Sequence, residues 1–155
     1  MPVFYSQNMS LGIFLMVMFS KKLSRVLSDF DVEIVERHHN QKIDAPSGTA
    51  IMLVEVIKEI RKGLNSSTAE SKKWKKRDKN EIGIHSIRAG NLVGEHRVIF
   101  GGEDEIIEIS HVATSRKVLA AGVLKAARFI AEKAPGYYTM KNLVTMKNLV
   151  DSLSC

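Results

Sequence analysis

The chain has 155 residues, of which 45% are apolar and 26% are charged, and its formal net charge is +6. This composition predicts a soluble globular protein with its own core, and it argues against collagen, a coiled coil or a wholly disordered chain. The single cysteine, Cys155, excludes an internal disulfide framework and predicts a reducing cytoplasm as the compartment. The longest apolar run, residues 11–19, is about half as long as a bilayer span, so no membrane segment is predicted.

Most of the positive charge lies in one stretch. Residues 58–79 contain nine basic and three acidic side chains, and this difference equals the whole net charge of +6. A basic cluster can bind nucleic acid or a membrane surface. Between Lys72 and Lys79, however, Trp74 is the only aromatic residue, and no base-stacking set or docking motif accompanies it. We therefore expect neither a nucleic-acid nor a membrane partner, and we interpret the stretch as a solvated loop or a basic rim that attracts small anions.

Hydrophobic periodicity predicts helices and strands in alternation in the first part of the chain. A helix is predicted over residues 10–29, with Ser10 as its cap. A strand is predicted over 31–39. Ser47 is expected to cap a second helix that runs to about Gly63.

The second part of the chain is predicted to be mainly β. Residues 64–80 have no period and are expected to form a loop. The predicted strands are 82–89, 92–100 and 105–113, and we expect them to form an antiparallel meander with Gly90-Asn91 as one of its turns. A third helix is predicted over 115–133, ending at Pro135-Gly136. Its expected buried face consists of Leu119, Gly122, Val123, Ala126, Phe129 and Ile130. The predicted fold class is α+β, a mixed sheet of about four strands with helices packed on one face.

The end of the chain contains a direct repeat. Residues 139–144 and 145–150 both read TMKNLV. Two short copies do not make a solenoid, whose units are longer and more numerous. We interpret the repeat as a local duplication and assign no function to it.

Residues 38–49 concentrate side chains suited to acid–base chemistry. Histidine titrates near neutral pH, so His38 and His39 are candidates for proton transfer, and Lys42 can place an ammonium group in the same cleft. Neighbouring strand residues point to opposite faces, so the two histidines do not easily chelate one metal. No cysteine or spaced carboxylate cluster completes a set of ligands. We therefore predict no metal site.

The start of the second helix is a candidate anion site. Ser47, Gly48 and Thr49 open this helix, where free backbone N–H groups and the positive end of the helix dipole favour an anion, and Gly48 allows a ligand to approach closely. Histidine, lysine and a helix N-terminus together suit a small carboxylated substrate that must be protonated. From these residues alone a structural interpretation stays open, because such caps and surface histidine pairs are common.

Three segments then identify a family. Residues 36–50 read ERHHNQKIDAPSGTA, residues 86–96 read SIRAGNLVGEH, and residues 108–116 read EISHVATSR. The first contains every fixed position of E-x-H-H-x-x-K-x-D-A-P-S-G-T-A, the signature of the 4-hydroxy-tetrahydrodipicolinate reductases (dihydrodipicolinate reductases) of bacterial lysine biosynthesis. The other two are similar to the R-x-G-x-x-x-G-E-H and E-x-x-H-x-A-x-S-R segments of that family. The resemblance covers about residues 3–140.

The resemblance implies a reaction and a set of roles. The family transfers a hydride from NADPH or NADH to its cyclic substrate, with loss of the 4-hydroxyl as water, to give tetrahydrodipicolinate. By resemblance, His38 is the proton donor and acceptor, and Lys42 is the second proton donor. The expected substrate-binding residues are His39, Lys42, Ser47, Gly48 and Thr49, where the last two hold a carboxylate. The expected residues on the nicotinamide side are Ser6, Gln7, Asn8 and Met9.

The resemblance also implies a division of the chain. The family's Gly-rich dinucleotide fingerprint is absent from this sequence, so useful affinity for NADH or NADPH is not expected from the chain alone. We expect residues 1–12 to be the remnant of the junction with a nucleotide domain, 13–135 to be a substrate-binding and assembly domain, and 136–155 to be a tail. In the family the open face of the sheet makes a homotetramer interface. The alternative to a catalytic domain is a non-catalytic truncated remnant that only folds and oligomerises.

Overall fold

The computed structural model of the protein describes residues 1–68 and 76–144. The elements within these residues are β1 (Pro2–Tyr5), α1 (Leu11–Val26), β2 (Asp31–His38), α2 (Gly48–Ile60), β3 (Asn65–Thr68), β4 (Glu81–Arg88), β5 (Gly94–Gly101), β6 (Ile106–Ala113), α3 (Lys117–Ala131), β7 (Gly136–Thr139) and α4 (Met140–Leu143). The chain divides into two compact units. We call Leu15–Ser115 the sheet unit. Met1–Phe14 with Arg116–Cys155, described as far as Val144, is the terminal unit.

The sheet unit is built on a mixed sheet of five strands in the order β3-β4-β2-β5-β6. The central strand, β2, pairs in parallel with β4 and antiparallel with β5. The α+β class and the mixed sheet are therefore confirmed, with five strands instead of about four.

The predicted meander is wrong at its first turn. Strands β4 and β5 are not neighbours, because β2 lies between them. Gly90, at φ +57°, and Asn91 instead lead the chain past the end of β2, where Ala89 N–H donates to the His38 carbonyl (3.0 Å). A glycine turn between two apolar runs has the same sequence signature whether the strands pair directly or across a third strand. Only β5 and β6 form the predicted antiparallel pair.

The predicted loop 64–80 contains an edge strand. Strand β3 pairs in parallel with the first half of β4. Its four residues are all small and polar, so no apolar alternation marks it. Backbone pairing holds the strand, together with the Ser67 hydroxyl, which donates to the Glu81 carboxylate on β4. Residues 69–75 lie outside the described part of the chain.

The core of the sheet unit lies between α2 and the face of the sheet that α2 covers, which we call the inner face. Alternate residues of the three central strands are buried there, as a half-buried sheet requires. These residues are Val32, Ile34, Ile82, Ile84, Val98 and Phe100. Helix α2 contributes Ala50, Leu53, Val54 and Ile57. The opposite face, called the outer face, carries Glu33, His85 and Arg97.

A half-buried arginine joins the end of α1 to the start of the sheet. Arg61, at the end of α2, donates to the carbonyl oxygens of Ser24 (2.9 Å), Leu27 and Phe30 (2.6 Å). The last carbonyls of a helix have no intrahelical donor, so a cation there satisfies them and complements the helix dipole. Burial lowers the pKa of Arg61.

The terminal unit pairs β1 and β7 in parallel, and α3 packs on β1. Gly122 is required in α3, because a Cβ there would lie 1.8 Å from the Met9 carbonyl oxygen. Gly122 and Ala126 are buried, as predicted. Leu119 and Val123, however, are 41% and 48% exposed, so the predicted buried face is wrong at these positions. Helix α3 packs against the Met9 backbone through its smallest residues, and its apolar face is wider than the surface that it buries in this unit.

The first copy of the repeat spans the end of β7 and all of α4. Thr139 caps α4 and its backbone N–H donates to the Asn142 side chain (2.8 Å). The second copy, 145–150, lies outside the described residues. Among the helices of the described part, none is long and apolar enough to cross a membrane.

Candidate active site

A buried carboxylate lies at the centre of the site. Glu36, on the inner face of β2, is fully buried. Its Oε2 lies 2.5 Å from Nδ1 of His38 and 2.8 Å from Nη1 of Arg88. Its Oε1 accepts from Nη2 of Arg88 (2.7 Å) and from the backbone N–H of Ser47 (3.2 Å). Glu36 and His38 share a face because they are two residues apart on a strand, and Arg88 is opposite His38 in the β2–β4 register.

The pair of Glu36 and Arg88 is charged at neutral pH. Burial by itself raises the pKa of Glu36, but hydrogen bonds from Arg88, Ser86 and His38 outweigh it and lower the pKa to about 2. The hydrogen bond to Glu36 raises the pKa of Arg88. Taking a charge this far out of water costs free energy unless an opposite charge compensates it. The Arg88 guanidinium supplies that charge through its two-point contact with the carboxylate.

Two histidine rings lie next to this pair. The centroids of His38 and His96 are 5.1 Å apart, in an edge-to-face arrangement. Burial lowers the pKa of His38, against the effect of Glu36, and the charges of Lys42 and Arg88 lower it further. Burial also lowers the pKa of His96, to about 4. Both rings are therefore biased towards the neutral form, and Lys42 is close enough for its charge to act on each of them.

Gly94 leaves room for the second nitrogen of His38. A Cβ at Gly94 would lie 3.0 Å from Nε2 of His38 and 3.2 Å from its Cδ2. Contacts this close are rarer than ordinary van der Waals contacts, so a side chain at this position would press on the ring.

Lys42 lies on the loop after β2. Its Nζ donates to Oδ1 of Asp44 at 2.7 Å, and its backbone N–H donates to the His39 carbonyl (3.2 Å). The hydrogen bond from Lys42 lowers the pKa of Asp44. Arg88 also reaches this loop, because its Nη2 donates to the backbone carbonyl of Asp44 (2.8 Å).

The start of α2 completes the arrangement. Ser47 caps the helix through its hydroxyl, which accepts from Ala50 N–H (3.3 Å), and this predicted cap is confirmed. The same hydroxyl lies 3.0 Å from Nε2 of His96, so it is already engaged twice within the protein. Gly48 is exposed, and a Cβ there would meet no heavy atom within 4 Å. The first turn of the helix therefore has open space beside it and the positive end of the dipole behind it.

The structure places the predicted catalytic and substrate-binding residues in the sheet unit, at the end of β2 and the start of α2. His38 and Ser47 contact the same carboxylate, and Lys42 acts on His38 through its charge. His39 follows β2 directly and is half-buried. Thr49 is half-buried in the first turn of α2.

The predicted nicotinamide-side residues lie in the other unit. Ser6–Met9 connect β1 to α1, in the terminal unit. The Ser6 hydroxyl donates to the Asn8 carbonyl (2.6 Å), and Oδ1 of Asn8 accepts from Ser10 N–H (2.8 Å). Met9 lines a cavity of about 340 Å³ with apolar residues and two cations, Lys125 and Arg128.

Glu36, Arg88 and His96 were missing from the predicted site. The position of Glu36, two residues before His38 in a predicted strand, was sufficient to place it on the face of His38. Placing Arg88 in the site required the knowledge that β4 pairs with β2, and the predicted meander left the neighbours of β2 open. In the residues that the structure describes, no group of three or more histidine, cysteine or acidic side chains is arranged to hold a metal.

Part of the basic stretch has a structural role. Arg77 donates to Oε1 of Glu33 (2.8 Å), to Oδ1 of Asp31 (2.8 Å) and to the Val32 carbonyl (3.1 Å). A guanidinium engaged in this way fastens the segment to β2. Lys72, Lys73 and Lys75 lie outside the described residues.

Comparison with known proteins gives a consistent family. The model of the family described as "Dihydrodipicolinate reductase, C-terminus" matches residues 12–144. The 4-hydroxy-tetrahydrodipicolinate reductase of Clostridium novyi is 51% identical over 148 residues, which are 95% of this chain and 59% of that protein. The enzyme of the same name from Caldanaerobacter subterraneus is 49% identical over 144 residues, 92% of this chain and 57% of that protein.

A solved structure agrees. The dipicolinate-bound dihydrodipicolinate reductase from Paenisporosarcina sp. TG-14 has a TM-score of 0.71 and 30% sequence identity, over 91% of this chain and 54% of that one. The chain thus spans 54–59% of the length of these relatives.

Proposed function

This chain belongs to the dihydrodipicolinate reductase C-terminal family, and we propose that it is the substrate-binding and proton-donating domain of a 4-hydroxy-tetrahydrodipicolinate reductase. The complete reaction reduces the substrate with NADH or NADPH and releases the 4-hydroxyl as water, giving tetrahydrodipicolinate for the synthesis of diaminopimelate and lysine. The substrate is a small dicarboxylate, and this class of ligand is supported by the name of the dipicolinate-bound relative.

One observation carries the proposal. The carboxylate of Glu36 holds the His38 ring with one oxygen and the backbone N–H of Ser47, the cap of α2, with the other. A proton-transfer group and an anion-binding helix terminus are therefore fixed to the same point. A helix cap alone does not require a buried histidine beside it. A substrate that is held by its carboxylate and receives a proton elsewhere requires both the helix terminus and the histidine.

The chemistry follows from these positions. We infer that the backbone of Gly48 and the hydroxyl of Thr49 bind one substrate carboxylate at the start of α2, and that Lys42 leaves Asp44 to bind the substrate. His39 contacts the substrate, and Ser47 contributes through its backbone, because its hydroxyl is buried and engaged. A dianion beside Lys42 opposes the effect of that lysine on the pKa of His38, so substrate binding raises the pKa and favours the protonated imidazole.

The residues present fit one end of the nicotinamide cofactor. In Ser6–Met9 the Ser6 hydroxyl and the side-chain oxygen of Asn8 are engaged within the loop, so backbone groups would hold the nicotinamide. A bound NADH or NADPH would supply the hydride. This sequence contains no Gly-rich fingerprint for the pyrophosphate, so that part of the binding site would have to come from outside these residues.

Calorimetric titration with pyridine-2,6-dicarboxylate, a planar mimic of the substrate, tests the proposal on the purified chain. We expect binding by the parent protein with proton uptake near pH 7, measured by comparing buffers of different ionisation heat. Lys42→Ala should weaken binding by about tenfold or more, the value of one charge-assisted contact. Gly48→Ala keeps its backbone N–H but should also weaken binding, because its methyl group occupies the space through which the ligand approaches. Gly48→Ala is a clean probe, because open space surrounds the added methyl group in the free protein.

Lys21→Ala is the matched control. Lys21 donates to Glu59 at 2.7 Å, the same distance as between Lys42 and Asp44, but on α1 and away from the site. Its removal should leave the affinity unchanged. Absence of binding by the parent chain contradicts the proposal for this chain and supports the alternative, a remnant that only folds and oligomerises. Titration with NADH should give no heat, in agreement with the missing fingerprint.

We also propose a homotetramer assembled through the outer face of the sheet. Ile87 and Val112 lie on this face and are 43% and 48% exposed, so they offer apolar contact area to a second copy of the chain. Light scattering should give the mass of four chains, and Ile87→Glu should reduce it. Val26→Glu, at an exposed position on α1, should leave the mass unchanged. A monomeric parent chain would refute the tetramer but would leave the catalytic proposal unaffected.

A further inference from the structure

We propose that Glu36 and Arg88 form a buried positioning pair that fixes the His38 ring with Nδ1–H towards Glu36 and Nε2 free for proton transfer, and that ties the Lys42 loop to the same point. Neither residue is proposed to touch the substrate, so both are positioning residues. The inference rests on the proposed function for the role of His38, but the orientation and tautomer of the ring are properties of the chain itself.

The tautomer follows from hydrogen-bonding capacity. With a pKa of about 2, Glu36 is ionised at neutral pH and can only accept hydrogen bonds. Nδ1 of His38, 2.5 Å from Oε2 of that carboxylate, must therefore carry the hydrogen. In the neutral ring this leaves the lone pair on Nε2, the nitrogen beside Gly94. A carboxylate at Nδ1 fixes a histidine tautomer in the same way in other acid–base sites.

Arg88 gives the pair its second property. One guanidinium contacts both oxygens of Glu36 and also the backbone carbonyl of Asp44, the residue that holds the Lys42 ammonium. Its planar fork of five donors makes these three contacts possible, and the single ammonium of a lysine cannot reproduce them. His38 and Lys42, the two proton donors that the family resemblance implies, are thus positioned through one side chain.

The chain offers a matched control on the outer face. Nε2 of His85 lies 2.8 Å from Oε2 of Glu33, and Arg77 donates to Oε1 of the same carboxylate. The residue types and two of the strands are the same as in the inner pair. Glu33→Gln therefore tests what the loss of a carboxylate from a histidine does in this sheet, away from the candidate site.

Nitrogen-15 NMR of the imidazole rings tests the tautomer directly. We expect His38 in the parent chain to be the Nδ1–H form at pH 8, and Glu36→Gln to convert it to a mixture, since a glutamine amide can donate or accept. Glu33→Gln should leave the His38 signals unchanged. A parent spectrum with the hydrogen on Nε2 of His38 overturns the inference, whatever the chain binds. An equal effect of Glu33→Gln and Glu36→Gln on His38 overturns it as well.

Arg88→Lys provides a second variant if Glu36→Gln does not fold. It keeps the positive charge beside Glu36 but loses the link to the Asp44 carbonyl. We expect the affinity for pyridine-2,6-dicarboxylate to fall by about tenfold while the chain remains folded. An unchanged affinity in Arg88→Lys overturns the link between Arg88 and the Lys42 loop. If the parent chain has the Nδ1–H tautomer but binds no dicarboxylate, the proposed function fails and the positioning pair stands.

Discussion

The two faces of the sheet carry the same three kinds of residue with different surroundings. On the inner face Glu36 contacts His38 and Arg88, and on the outer face Glu33 contacts His85 and Arg77. The side chain of Glu36 is 0% exposed and that of Glu33 is 26% exposed.

The difference shows what a candidate site requires beyond residue types. The inner carboxylate also accepts from the backbone at the start of α2, and its charge is removed from water. On the inner face the hydrogen bond between Glu36 and His38 fixes the ring, because burial keeps water from competing for the carboxylate. On the outer face water can replace each partner, and the same contacts are expected to contribute little.

The largest expected effect is on stability. Glu36→Gln leaves the Arg88 guanidinium partly buried without its counter-charge, so we expect the free energy of unfolding to fall by about 3–5 kcal/mol. Glu33→Gln should cost about 0–1 kcal/mol, because its partners are accessible to water. Urea denaturation of both variants at pH 7 measures the difference. Equal losses would mean that burial does not separate the two clusters.

The acid dependence of stability gives a second, smaller contrast. The pKa of His96 is about 4 in the folded chain and near 6.5 in an unfolded one, so the unfolded state takes up the proton first. The stabilisation is complete above pH 6.5 and is lost as the pH falls from 6.5 to 4. Its size is on the order of 3 kcal/mol.

Replacement of His96 should flatten this dependence. His38 and His111 have pKa values lowered by burial as well, so a part of the slope should remain in His96→Gln. The groups that face His96 in this range are Glu36 on β2, which stays ionised, His38 on β2, His111 opposite it on β6, and Lys42 on the loop. Denaturation midpoints at half-unit steps of pH provide the measurement, and identical slopes for His96→Gln and the parent would contradict the assignment.

The sequence was informative where a pattern is local. Helical spacing and Ser47 predicted α2 and its cap, and the spacing of His38, Lys42 and Gly48 marked the candidate site. It was not informative where a contact depends on which strands pair. A crossover past β2 has the same glycine turn as a hairpin, so Arg88 was assigned to a meander although it lies opposite His38. Strand β3 has no apolar period at all, and its existence depends on the exposed backbone edge of β4.

The smallest expected effect concerns two glycines of β5. A methyl group at Gly94 would lie 3.0 Å from Nε2 of His38, whereas one at Gly101 would meet its nearest atom at 3.9 Å, an ordinary contact. Gly94→Ala should therefore displace the ring and weaken pyridine-2,6-dicarboxylate binding several-fold. Because alanine restricts the unfolded chain more than glycine does, both variants should remain within about 1 kcal/mol of the parent in stability.

Gly101→Ala should bind the dicarboxylate as the parent does. Together the two variants separate the effect of a methyl group on β5 from its effect on His38, since both positions lie on the same strand. Titration calorimetry gives the affinities, and the imidazole nitrogen spectrum reports whether the ring has moved. If Gly94→Ala binds normally with an unchanged His38 spectrum, strand β5 yields to the methyl group and the ring does not. The hydrogen bond to Glu36, and not the space at Gly94, would then fix the position of His38.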